Sequence, residues 1–222
     1  MAIDSQLIDP LVTLVAAFAG AWFAFLFERR HKDAEEVRRR VGAVNRALYT
    51  LTTQWSAMVQ IRQEVIDPYR GRDDAWLNMA ATVPGRHDRI SLEAGELSFL
   101  LEVDGQAYAE MLLEEQRYNL AIHTLDVRSN IIFNEVWPRL GQAGIGIGAR
   151  TDAAEIERII GMDATRKLKV IGDALVKNVD ENLKTIVAAY GRVRGAMKKA
   201  YPNEKLIDVE FVENPAANRA AA

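Results

Sequence analysis

The sequence predicts an all-α protein. A single N-terminal transmembrane helix continues into a cytosolic antiparallel helical bundle of three long helices plus short connector helices. Three observations predict this. Residues 10–27, PLVTLVAAFAGAWFAFLF, carry no charge. Three later stretches repeat apolar residues at spacings of 3 and 4, which lays a buried stripe along a helix. No pattern of parallel strands occurs anywhere. The expected division is a short extracytoplasmic N-terminus at 1–9, the membrane helix at 10–27, the bundle at 28–202 and a C-terminal tail at 203–222.

The uncharged run is 18 residues long, about 27 Å at about 1.5 Å per residue, close to a bilayer's hydrocarbon thickness. Pro10, Leu11, Leu14, Val15, Phe18, Trp22, Phe23, Phe25, Leu26 and Phe27 form the expected anchor. Before it there is no Lys or Arg. After it come Arg29, Arg30, Lys32, Arg38, Arg39 and Arg40. Basic residues stay on the cytoplasmic side, so these six set the topology: a single-pass protein of the inner (plasma) membrane, N-terminus outside and C-terminal domain cytoplasmic. A cleaved signal peptide fits less well, because no basic segment precedes the run and it continues past Ala17-Phe18-Ala19 to Phe27. A buried core helix conflicts with the abrupt Glu28-Arg29-Arg30. Ala16, Gly20 and Ala24 fall four apart, a spacing that lets two helices approach closely.

The chain has 222 residues, with 28 Lys plus Arg against 31 Asp plus Glu. That balance argues against nucleic acid as a partner, which needs a sustained basic surface. There is no cysteine, which excludes a disulfide framework, a thiolate metal site and a cysteine nucleophile.

The first long helix continues to residue 66. Val37, Val41, Val44, Leu48, Leu51, Trp55 and Met58 form a heptad seam that Arg62 interrupts. Asp67-Pro68 ends it. Asp73 and Asp74 start a short helix through Met79, Val83-Pro84-Gly85 turns, and Ser91 caps a second short helix. The second long helix spans 105–137, with a seam from Tyr108 to Val136, and Trp137-Pro138 closes it. Residues 139–150 read as a glycine-rich loop, and Thr151 or Asp152 caps a short helix to Ile160, Asp152 having capping-box spacing to Glu155. The third long helix runs from about 163 to 200 with its stripe from Leu168 to Met197. Leu206 to Val212 reads as a short strand or as an extended tail packed on the bundle. In an up-down-up order the connector 69–103 lies at the far end, and Ile145 and Ile147 lie near the membrane.

Chemistry-bearing motifs are weak. Gly144-Ile145-Gly146-Ile147-Gly148-Ala149 loosely fits a dinucleotide fingerprint, but no strand precedes it. Of His31, His87 and His123 only His31 has a Glu three residues before it, Glu28, whereas a di-iron bundle requires such a pair on each of two facing helices. Glu110, Glu114, Glu115 and Asp126 read as a solvated helix face. Glu115 and Ser129 fall on the second seam and are candidate buried polar groups that fix register or meet Arg166, Lys167 or Lys169. No catalytic, cofactor or metal residue is assigned.

The expected function is therefore an interaction or scaffolding module at the cytoplasmic face of the membrane. Its expected partners are membrane lipid and a protein, a second copy included. The alternative is a sensor or effector whose bundle binds a ligand or partner and moves the anchor helix. A helical-bundle enzyme or metal protein has the least support.

Overall fold

The computed structural model describes residues 5–83, 90–146 and 151–212, with side-chain surroundings from residue 17 onward. The described residues are helical or irregular, with no strand. Helix α1 spans Ser5–Ile61. A π-helical turn, Arg62–Ile66, and a 3-10 turn, Asp67–Tyr69, follow it. Then come α2 (Ala75–Asn78), a 3-10 turn at Ala94–Leu97, and α3 (Leu100–Ile131). A second π-helical turn, Ile132–Val136, leads into α4 (Trp137–Gln142), α5 (Ala153–Ile160) and α6 (Met162–Ala200).

The seam expected in the first helix is buried at Val41, Val44, Leu48, Leu51, Trp55 and Met58. It packs with Met111, Tyr118 and Leu125 of α3 and Leu175, Val179 and Ile186 of α6 in one core. A smaller core at the far end joins Trp76, Ile132, Ile156, Ile160 and Leu168. The break at Arg62 is the start of the π turn. The Leu100 helix is kinked at Asp104, which is extended (φ −159°, ψ 92°) and whose Oδ1 accepts from Ala107 N at 3.0 Å. The regular helix therefore starts beside Gly105, as the sequence implies.

The order of directions differs from the up-down-up expectation. Arg40 donates to Tyr201 Oη at 3.2 Å, while Arg70, just past the end of α1, meets Asp180. So α6 runs antiparallel to α1. It is also antiparallel to α3, since Glu110 meets Arg192 and Asn178 meets Thr124. But Arg40 also lies over the Phe99 ring (5.2 Å) at the start of α3, and Arg128 near the end of α3 holds Trp76 and Ala80, beyond the end of α1. α1 and α3 are thus parallel. The reason is the connector between them, which is long enough to run back along the body instead of turning at one end.

Two terminators behave otherwise than expected. Pro138 does not end the second helix. It sits in the first turn of α4, where its missing N–H is not needed. The loop expected at 139–150 therefore starts later, and Ile147, Gly148, Ala149 and Arg150 lie outside the described residues. Residues 203–212 are extended and form no strand. Phe211 packs edge-on to Trp55 and Tyr190 at 5.2 and 4.9 Å, and Tyr190 Oη donates to Ile207 O and accepts from Val209 N.

The membrane anchor and the localisation built on it require correction. Among the described residues no helix is long and apolar enough to cross a membrane. Residues 17–27 are the part of the uncharged run whose side chains are described. Pro10, Leu11, Leu14, Val15 and Ala16 lie outside the described side chains. Arg29, Arg30, Lys32, Arg38 and Arg39 are exposed on α1, and Arg40 is half-buried.

Arg39 and Arg40 both donate to Glu36, at 2.9 and 2.7 Å, and hold its carboxyl down from 4.5 to about 2. An acid whose pKa is lowered on folding adds stability above its unfolded pKa and loses it as pH falls through the folded value. Glu36→Gln is therefore expected to flatten the fall in stability between pH 4.5 and about 2. The effect should be small and shrink with added salt, because the carboxylate is at the surface. Thermal melts against pH at two salt concentrations check this.

Candidate functional site

Three regions hold the side chains of interest: the connector seam, a cleft at the far end of the body, and the free part of α1. The connector's backbone needs hydrogen-bond partners, since it forms little helix of its own. α1 and α3 supply them. Arg128, fully buried, donates to the carbonyls of Trp76 (3.1 Å) and Ala80 (3.2 Å). Ser129 Oγ accepts from Thr82 N at 3.1 Å, and buried Gln54 donates to Ile90 O at 2.7 Å. Glu115 accepts from Leu92 N at 2.7 Å, and Tyr108 donates to Ala94 O at 3.3 Å.

Ser129 is thus buried as the sequence implies, and Glu115 is half-buried. Both fasten the connector rather than meeting the basic residues of α6. Lys167 pairs with Asp163, and Lys169 lies nearest Glu157. The buried carboxylate is instead Glu114, one residue earlier, which faces Asn182 and Thr185 of α6. Arg128 was not legible as buried from its residue type, because a guanidinium rarely goes inside unless paired. Burial pushes its pKa down to about 10, so it remains charged at neutral pH.

The cleft opens where α1 stops. The π turn and the 3-10 turn carrying Pro68 end α1, and Gly71 (φ +75°) follows them. The gap has a volume of about 590 Å³. Ile66, Met79 and Val176 are apolar lining residues, and Tyr69 and Trp76 add aromatic rings. Gly172 is buried in α6, and a Cβ there would come within 2.9 Å of Met79 Cε. The glycine thus lets the α2 segment seat against α6.

The free part of α1 is exposed on every side from residue 17 to residue 35, apart from half-buried Leu26. Phe18 is 70% exposed and Phe27 69%, with Trp22, Phe23 and Phe25 similar. Gly20 has open space where a Cβ would be, and Ala24 is exposed. His31 meets Glu35 on this segment, His123 is exposed on α3, and His87 lies outside the described residues. Among the described residues no cluster of His, Asp and Glu is placed to hold a metal.

Compared with protein-family models, curated proteins and solved structures, the chain finds no match. The functional reading therefore rests on geometry.

Proposed function

We propose that the protein is an interaction module that assembles through the free part of α1, with a second copy of the chain as partner. The observation that carries this is the exposure of five aromatic side chains between Phe18 and Phe27 on a helix that touches nothing else described. A helix apolar on all sides calls for burial, and a contiguous exposed apolar surface marks an interaction site. Residues 17–36 extend about 30 Å at about 1.5 Å per residue, enough for a helical contact of several turns. Gly20 and Ala24 form a face without bulk, where a second helix axis can come close. The seam from Val41 to Met58 does not serve this contact, because it is used within the chain.

The absence of native cysteine makes the test direct. Under mild oxidation, Ala24→Cys is expected to give a covalent dimer, while Trp22→Cys, on the opposite side of the helix, gives little. Gly20→Leu should weaken the association by about tenfold or more, read by sedimentation, because a bulky side chain separates the helices. Equal cross-linking at both positions, or a monomer throughout, would sink the proposal.

A further inference from the structure

Beyond assembly, we propose that the groove between α1 and α6 binds an extended peptide with apolar side chains at alternate positions and acidic ones between, and that the chain's own tail fills this site as a built-in competitor. The tail shows how such a peptide is held. After α6 ends, Glu204 N donates to Tyr201 O at 3.2 Å, and the chain then lies extended to residue 212. Among the described residues its backbone past Glu204 bonds to side chains only. Asn45 of α1 donates to Lys205 O at 3.2 Å and accepts from Ile207 N at 2.9 Å. Tyr190 Oη of α6 repeats the pattern two residues on, donating to Ile207 O at 2.9 Å and accepting from Val209 N at 3.1 Å. Two side chains thus offer an extended chain what the edge of a sheet would offer it. Such bonds reach the main chain alone, so they give affinity for an extended segment whatever side chains it carries.

Selectivity comes from the alternation. From Ile207 to Phe211 the residues are by turns half-buried and exposed, the period of an extended chain. Val209 and Phe211 pack on the core, Phe211 edge-on to the rings of Trp55 and Tyr190, while Asp208 and Glu210 are exposed. The α6 edge of the groove is basic. Arg194 donates to Asp208 at 2.6 Å, and Lys198 to Glu204 O at 2.6 Å. Tyr190, Arg194 and Lys198 fall four apart, so one face of α6 carries the ring and both cations. The groove can also stand open. Asn45, Tyr190 Oη, Arg194 and Lys198 each meet water when the tail leaves, so no polar group is stranded. None of residues 203–212 is fully buried, and such a segment lifts off far below the cost of unfolding the helices beneath it.

The probe is a fluorescein-labelled synthetic peptide with the sequence of residues 204–212, titrated by anisotropy into the full chain. In the wild type the attached tail competes at high effective concentration, so only the open fraction binds. Val209→Ser combined with Phe211→Ser loosens the tail, and these half-buried positions leave the helices intact. This variant should bind the peptide at least about tenfold more tightly than the wild type. Adding Asn45→Ala and Tyr190→Phe should weaken it again by about tenfold or more, in protein whose helix content is unchanged. A peptide of the same composition with its apolar residues grouped together should bind at least about tenfold more weakly. Adding Phe23→Ser and Phe27→Ser to the loosened chain should leave binding intact, which separates the groove from the exposed aromatics of α1. No binding to the loosened chain, equal binding to it and the wild type, equal binding of the regrouped peptide, or binding that follows the α1 variant would each overturn the proposal.

Discussion

Arg128→Ala is expected to lower the stability of the fold by about 3–5 kcal/mol, the cost typical of breaking a buried charged contact. The guanidinium is fully buried and spans from α3 to the connector, where it satisfies two backbone carbonyls. Alanine leaves both carbonyls without a donor and leaves a cavity the size of most of an arginine. Each effect alone costs a few kcal/mol. Arg128→Met separates them. Methionine fills the volume and removes a charge whose burial is itself unfavourable, but it cannot donate to Trp76 O or Ala80 O. Its loss should be smaller, about 1–3 kcal/mol. Urea unfolding followed by helix content gives both numbers. A loss below about 1 kcal/mol for the alanine variant would mean that water replaces the guanidinium and that Arg128 does not hold the connector.

The stripes of the three long helices were legible because a 3-and-4 spacing survives any arrangement of the helices around it. Val41 to Met58 and Leu168 to Met197 bury as their spacing says, whichever way the neighbouring helices run. Helix direction was not legible. It depends on whether residues 70–99 turn at one end or run back along the body. That is decided by side chains from other elements, namely Arg128, Ser129, Gln54 and Glu115, which hold the connector's backbone along its length. Pro138 misled because proline breaks a helix only where its N–H is needed, and the π turn before it starts a new first turn there. The cleft left no linear signal. Its aromatic rings and cations come from the turn after α1, from α2 and from α6, more than ninety residues apart, and meet only in the fold. The uncharged run was legible as apolar, and the exposure of its residues 17–27 is a property of their surroundings.

Glu114→Ala is expected to cost about 3–5 kcal/mol, for a different reason. Glu114 is 2% exposed and accepts at both oxygens: Arg117 at 2.5 Å on one, Thr185 at 2.8 Å and Asn182 at 3.1 Å on the other. Arg117 is a third exposed and can turn to water. Asn182 is fully buried, its Oδ1 already lacks a partner among the described residues, and its Nδ2 keeps only the longer bond to the Glu114 carbonyl, at 3.3 Å. The penalty thus falls on the group left behind, not on the carboxylate removed. It follows that Glu114→Leu combined with Asn182→Leu should be far more stable than the sum of the single changes. Two apolar side chains in the α3–α6 interface leave nothing unsatisfied between them. The double-mutant cycle should show a coupling of about 1–3 kcal/mol. A double variant as unstable as that sum would show that each residue is held by its other neighbours. A stable double variant raises a second question, which is what the polar pair is for. A buried Glu–Asn contact tolerates only one sliding position of α6 along α3, whereas apolar stripes tolerate several. The leucine pair should then unfold less cooperatively, with a lower urea dependence than the wild-type chain, even where its midpoint is higher.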